Sequence, residues 1–286
     1  MKISDTLTNQ KKELEFSDKV RIYLCGVTVY DQSHIGHART IIVFDTLRRF
    51  LEANNIPVEL IQNFTDVDGV YTTDPRVCNK ARKLDKISYE EMLEMSSLGS
   101  KVMQSSSVQE ARLNRIDVDV KSSFQNKSGT LITKRENIIN NKLITGVSST
   151  KNDAKITLIG VKDKPGIAAS IFKPLSDNNI NVDMVVQNIS LNSKETDLTF
   201  TIKSEDLKKT ERTIKQNKKI SFRKLNYDNN VSKVSIIGVG MITTPGITYR
   251  MFQALALKKI NIMVISTSEI KISVLISNKN VKKAIT

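Results

Sequence analysis

Two stretches late in the chain are written in nearly the same words. Lys155-Ile-Thr-Leu-Ile-Gly-Val161 is echoed 78 residues on, at Lys233-Val-Ser-Ile-Ile-Gly-Val239. Each apolar run reads as a buried strand and is followed by a Pro-Gly turn, Pro165-Gly166 or Pro245-Gly246. Each turn opens an amphipathic helix, with Ile167, Ile171, Phe172 and Leu175 on one face of the first. Ile247, Met251, Phe252 and Leu255 do the same in the second. Asn-initiated strands follow, Asn181 to Val186 and Asn261 to Ile265, and then Thr196 to Ile202 and Lys271 to Ile276. A repeat of strand, helix, strand, strand implies two ferredoxin-like modules, over residues 151–229 and 230–286. The second stops at Thr286, within what the repeat makes its last helix, so an open sheet edge or uncovered apolar face is expected there.

The start of the chain obeys a different pattern. Arg21 to Cys25 is a short apolar run suited to a strand, and a helix begins near His34-Ile-Gly-His37. Its apolar positions are Ile41, Ile42, Phe44, Leu47, Phe50 and Leu51. Asn54-Asn55 ends it, Pro57 prevents its continuation, and Val58 to Phe64 reads as a second strand. This is a Rossmann-like βαβ unit, and the helix N-terminus is a phosphate site in waiting. His34 and His37 are the only histidines, and at i and i+3 they suit a triphosphate; two surface histidines are the plain alternative.

Cys25-Gly-Val-Thr-Val-Tyr-Asp31, His34-Ile-Gly-His-Ala-Arg-Thr40 and Asp5-Thr-Leu-Thr8 resemble the opening of cysteinyl-tRNA synthetase, over residues 1–69. The resemblance implies ATP binding by His34 and His37 and makes Cys25 a zinc ligand. Tetrahedral zinc needs several Cys, His or carboxylate ligands, so Cys25 is read as vestigial and zinc as not retained. The Lys-Met-Ser-Lys-Ser loop of class I synthetases is absent from the sequence, and aminoacylation is not expected.

At Thr65-Asp-Val-Asp-Gly69 the wording changes. Residues 65–77, rich in turn formers around Asp74-Pro75, suit either a nucleotide clamp or a surface turn. With Lys83 to Met92 and Leu98 to Val102, they resemble the amino-acid-kinase domain of aspartate kinase, here a partial domain over 65–150. That implies ATP with Mg as cofactor, contacted by Thr65, Asp66, Tyr71, Asp74, Arg76 and Lys101. Nothing in residues 1–64 supplies the family's Lys-x-Gly-Gly phosphate loop, and Ser106 stands where an arginine is usual. Little or no kinase turnover is therefore expected.

The repeat, in turn, resembles the ACT domains of aspartate kinase, most closely in Asp163-Lys-Pro-Gly-Ile-Ala168, Val186-Gln-Asn188 and Ile265-Ser-Thr-Ser-Glu-Ile-Lys271. The resemblance implies binding of L-lysine or L-threonine and pairing of ACT domains, within a subunit or in a homo-oligomer. The implied effector contacts are Asp163, Gly166, Ala168, Gln187, Asn261, Ile262, Ser268 and Glu269. From the residues alone, uncapped helix N–H groups suit a carboxylate, and Asp163 and Glu269 suit an ammonium group. Plain turn and cap residues are the alternative. The expected fold class is thus α/β and α+β: a βαβ fragment over 1–64, a partial kinase domain and two ferredoxin-like modules. Three functional readings follow: a regulatory remnant of aspartate kinase, an ATP-binding synthetase fragment, or a chimaera without activity.

Composition removes some competitors. A net charge of +14 and pI near 9.6 ordinarily suggest nucleic acid. Here the lysines are spread along the chain, and the dense run Lys203 to Lys224 also holds Glu205, Asp206 and Glu211. With 5% aromatics and no Trp, a base-stacking platform is poorly supplied, so nucleic acid is not expected. No apolar run approaches the roughly 20 residues of a membrane span. Met1-Lys-Ile-Ser-Asp5 has no apolar core of a signal peptide, and Cys25 and Cys78 give no disulfide framework, so a cytoplasmic location is expected.

Overall fold

The computed structural model describes residues 2–5, 8–13, 18–24, 35–62, 64–65, 67–100, 102–122, 127–138, 143–189, 195–217 and 219–286. It forms two compact units, Met1–Val70 with Asp117–Ile132, and Tyr71–Ile116 with Thr133–Thr286.

The smaller unit contains the expected βαβ fragment. After a hairpin of β1 (Lys2–Asp5) and β2 (Gln10–Glu13), β3 (Val20–Leu24) leads through α1 (Ile35–Ala53) to β4 (Val58–Gln62). Strands β3 and β4 pair in parallel, Val20 opposite Val58, as a helical crossover requires. Val20, Ile22 and Leu51 form the core, with Phe44 and Leu47 packed against them. Ile42 and Phe50, expected on the same stripe, are exposed. Two residues before Phe44, Ile42 is turned about 200° from it and so faces away from this core, while Phe50 is turned about 100° from Leu51. Asn55 adopts a left-handed φ of 58°, and Ile56 N–H donates to Leu51 O, which closes the helix where the sequence placed its end. Next, β5 (Phe64–Thr65) is a two-residue strand.

In the larger unit, β6 (Lys86–Ser88) leads directly into α2 (Tyr89–Ser97), and α3 (Ser105–Leu113) follows. The chain then returns to the smaller unit, where β7 (Val118–Ser122) pairs in parallel with β5 and antiparallel with β8 (Thr130–Thr133). The stretch expected to be one partial kinase domain therefore contributes to both units.

The two repeats build one six-stranded antiparallel sheet. Its strands are β9 (Gly146–Lys162), β10 (Val185–Ile189), β11 (Glu195–Lys203), β12 (Lys224–Ile237), β13 (Val264–Thr267) and β14 (Lys271–Ser277). The order is β10-β11-β9-β12-β14-β13. Helices α4 (Ile167–Asp177) and α5 (Leu207–Gln216) belong to the first repeat, α6 (Ile247–Leu257) and α7 (Val281–Ile285) to the second. Strands β10 and β13 begin at Val185 and Val264 rather than at Asn181 and Asn261. The residues before β10 are tied by Asp183 N–H to Thr201 O and by Thr201 N–H to Met184 O, outside the regular ladder.

Strands β9 and β12 are long because each serves both repeats. The second half of β9 and the first half of β12 pair as Lys155 opposite Asp228 and Ile159 opposite Lys224. The other halves pair as Gly146 opposite Ile237 and Thr150 opposite Lys233, with irregular register in between. An open sheet edge or an uncovered apolar face was expected in the second module; beside its first strand the edge is occupied by Gly146–Thr150, from ahead of the first repeat. Val147 from that segment packs into the second repeat's core of Val234, Ile236, Leu255, Val274 and Ile276. The expected boundary at residue 151 runs through the middle of β9.

The first repeat has its own core, centred on Ile156, Leu158, Ile171, Leu175, Leu198 and Phe200. Phe172 meets Phe200 edge to face, with ring centroids 5.3 Å apart. A third, small cluster joins the repeats: Met184 and Val186 from one, Met263 and Val264 from the other, over Val231 and Leu275.

Candidate functional site

Both Pro-Gly turns do what the repeat implied. Gly166 and Gly246 have φ of 84° and 86°, left-handed values that favour glycine, and each precedes an 11-residue helix without a side-chain cap. Ile167 N–H donates back to Lys164 O at 3.1 Å, which leaves the N–H groups of Ala168 and Ala169 in the first turn of α4 for an anion. A Cβ at Gly166 would meet nothing within 4 Å, so the space in front of the helix is open. Asp163 is exposed in the loop between β9 and α4, and Gln187 is exposed on edge strand β10.

The cluster between the repeats organises the remaining positions. Gln187 adjoins Val186, and Asn261 and Ile262 adjoin Met263, so these candidates flank the same apolar contact from opposite modules. Ile262 itself packs on the second core. The junction is also bolted electrostatically. Lys233, in the second repeat, has a side chain only 7% exposed, and its ammonium group donates to Asp183 of the first repeat. Asp153, buried nearby on β9, accepts from Thr150 Oγ1 and pairs with Lys203 at 3.4 Å.

Ser268 and Glu269 are placed elsewhere. They form the turn between β13 and β14, closed by Ser268 N–H donating to Lys271 O at 2.7 Å. They line an open cavity of about 700 Å³ together with residues of α2 and α3. None of Asp163, Gly166, Ala168, Gln187, Asn261 and Ile262 lines it.

The helix facing this hairpin is held by carboxylates. Glu91, 3% exposed, accepts from Thr145 Oγ1 at 2.6 Å and from Val239 N–H at 3.0 Å through one oxygen. Its other oxygen accepts from Ser88 Oγ at 2.9 Å, within a full capping box at the start of α2. Glu94 pairs with Lys271 at 2.9 Å, and Met95 lies so close to Gly146 that a Cβ there would come within 2.9 Å of its sulfur. Neither Glu91 nor Lys233 was singled out from sequence. The pattern Ser88-x-x-Glu91 signals the first, whereas a lysine heading a strand carries no sign of burial.

Of the nucleotide candidates, Tyr71 bridges Lys83 in the larger unit, near Asp74 and Arg76 in sequence. Asp74 takes Arg76 in a two-pronged ion pair, Oδ1 to Nε and Oδ2 to Nη2, each 3.0 Å. The guanidinium holds the Asp74 carboxyl below its usual pKa. Thr65 lies in the smaller unit, on β5. Asp66, Lys101, His34 and Cys25 fall outside the described residues; His37 is in the first turn of α1. Among the described kinase-like candidates, Arg76 is the only cation for a triphosphate, and it is engaged by Asp74. These residues do not by themselves fit ATP with Mg, and no phosphoryl-transfer step is derived from them.

Residues 156–217 and 234–286 match the ACT domain family. Aspartate kinase of Pseudomonas fluorescens is 47% identical over 226 residues, 78% of this chain and 54% of that protein. Aspartokinase of Helicobacter pylori is 44% identical over 237 residues, 82% of this chain and 58% of that protein. The C-terminal region of the chain is thus similar to aspartate kinases and carries the match to ACT domains. The crystal structure of Clostridium acetobutylicum aspartate kinase agrees, with TM-score 0.70 at 25% identity over 78% of this chain and 52% of that one. E. coli aspartokinase III with aspartate and ADP, 20% identical, shares the fold over 94% of this chain and 69% of that one, with TM-score 0.71. The chain spans just over half the length of the aspartate kinases from Pseudomonas and Helicobacter that it matches. Residues 11–126 match the family of tRNA synthetases class I (C) catalytic domain, beyond residue 69, where the wording changes. No helix among the described residues is long and apolar enough to cross a membrane.

Proposed function

We propose that this chain is an amino-acid-binding regulatory protein of the aspartate kinase type, with L-threonine or L-lysine as its effector. One observation carries the reading: the segments 181–187 and 261–264 of the two ACT modules meet over a shared apolar cluster, beside an uncapped glycine-led helix. In this reading the effector carboxylate takes the α4 N–H groups near Gly166 and Ala168. Asp163 takes the ammonium group, and Gln187, with Asn261 and Ile262 of an opposing module, completes the pocket. A second copy of the chain pairs through its own ACT modules. The ATP-dependent phosphorylation of aspartate belongs to the full-length relatives and is carried here as descent. For the smaller unit, the βαβ topology and the synthetase match favour a second reading, an ATP-binding fragment using His34 and His37.

Threonine or lysine is expected to raise the melting temperature of the larger unit. A ligand that binds only the folded state adds RT ln(1 + [L]/Kd), about 2.7 kcal/mol at a hundredfold excess over Kd. Asp163→Ala should abolish the shift, and Gln187→Ala should reduce it. Thermal unfolding in the presence of each amino acid is the measurement; no shift with either removes the effector assignment.

A further inference from the structure

The cavity lined by Ser268 and Glu269, two of the expected effector contacts, is lined by none of the other six, Asp163, Gly166, Ala168, Gln187, Asn261 and Ile262. One of its walls carries Arg112, Arg115, Lys134 and Arg135, and its acids are Glu90, Glu136 and Glu269. Arg112 pairs with Glu90, Nε to Oε1 at 3.3 Å. Among the described residues, Arg115, Lys134 and Arg135 form no ion pair, nor do Glu136 and Glu269. Three unpaired cations against two unpaired acids leave one positive charge in excess. Glu90 adds a second observation: its Oε2 is shielded from solvent and has no hydrogen-bond partner. The Glu90 side chain is 36% exposed and its other oxygen is held by Arg112, so this carboxylate belongs to the rim of the cavity. Val239, Ile242 and Ile270 supply apolar surface between the charged groups. The volume of about 700 Å³ falls in the range of small-molecule sites, roughly 300–1,000 Å³.

We propose that this cavity binds a small amphoteric molecule of net negative charge. Its carboxylate or phosphate lies against Arg115, Lys134 and Arg135, and its ammonium or amino N–H donates to Glu269. Such a ligand bridges α2 and α3 to the β13–β14 hairpin, and so ties the kinase-derived helices to the second ACT module. It is a different site from that of Asp163 and Gln187.

Calorimetric titration of the full chain with L-glutamate and with AMP tests this, since both carry an anion and a nitrogen donor. Binding of glutamate alone assigns a carboxylate site, and binding of AMP alone a phosphate site. In either case the double variant Lys134→Ala, Arg135→Ala is expected to weaken binding at least about tenfold, as loss of a charge-assisted contact does. Asp163→Ala should leave it unchanged, which separates this site from the threonine or lysine reading. If the double variant unfolds at a lower temperature than the parent, Glu269→Gln at the exposed hairpin tip replaces it, with weakening again expected. Failure of both probes to bind, or binding indifferent to these substitutions, overturns the proposal.

Discussion

Glu91→Ala is expected to cost the larger unit about 3–5 kcal/mol, the scale of leaving buried polar partners unpaired. The carboxylate is almost wholly buried and satisfies groups from three places: Ser88 at the start of its own helix, Thr145 just before β9, and the Val239 amide at the end of β12. Truncation strands the Thr145 hydroxyl and the Val239 N–H in a site where Val239 itself is buried. It also removes one half of the capping box, typically worth about 1 kcal/mol by itself. Glu91→Gln keeps the shape and one acceptor oxygen, so its cost should be distinctly smaller. Ser88→Ala removes only the cap and should cost about 1 kcal/mol. Native-state amide exchange in β12 and β14 is the appropriate measurement, because two compact units need not unfold together. Equal protection in Glu91→Ala and the parent would show that α2 is not anchored through this carboxylate.

What the sequence made legible was everything governed by local pattern. Repeated apolar strands, Pro-Gly turns and helices of period 3.6 placed both ACT modules and their left-handed glycines. The Asn54-Asn55 stop marked the end of α1 to within two residues. What stayed hidden was non-local. Nothing in Gly146-Val-Ser-Ser-Thr150 announces that it pairs with Lys233–Ile237, because strand partnership over more than 80 residues leaves no mark on composition. The open edge was expected because the second repeat stops at Thr286, within its last helix, whereas the strand beside β12 comes from ahead of the first repeat. The site was legible in part for the same reason. Asp163, Gly166 and Ala168 are neighbours in the turn into α4, so their proximity could be read directly from the sequence. Ser268 and Glu269 were grouped with them, Glu269 as a second ammonium partner, yet the hairpin carries both to a cavity also lined by residues between 89 and 136.

Asp183→Ala is expected to destabilise the junction of the modules by about 2–4 kcal/mol, toward the lower side of the range for breaking a buried pair. The discount follows from asymmetry: Asp183 is 55% exposed, whereas the Lys233 side chain is 7% exposed. Removing the acid leaves an ammonium group in a strand flanked by Val231 and Val234, both buried, with no other acid paired to it among the described residues. The reverse substitution behaves differently. Lys233→Met fills the same stem volume, leaves Asp183 free to hydrate, and should cost less than about 1 kcal/mol or even stabilise. The double variant should therefore resemble Lys233→Met alone, a non-additive cycle expected for residues in direct contact. Urea unfolding of the four proteins measures this directly. If Asp183→Ala and Lys233→Met cost the same, the pair acts as a simple surface ion pair, and the burial of Lys233 does not set its energetics. If they differ as expected, the salt bridge chiefly prevents an unpaired lysine at the module junction. Gln187 and Asn261, on either side of that junction, would then depend on Asp183 for their alignment, and Asp183→Ala should weaken threonine or lysine binding where Lys233→Met does not.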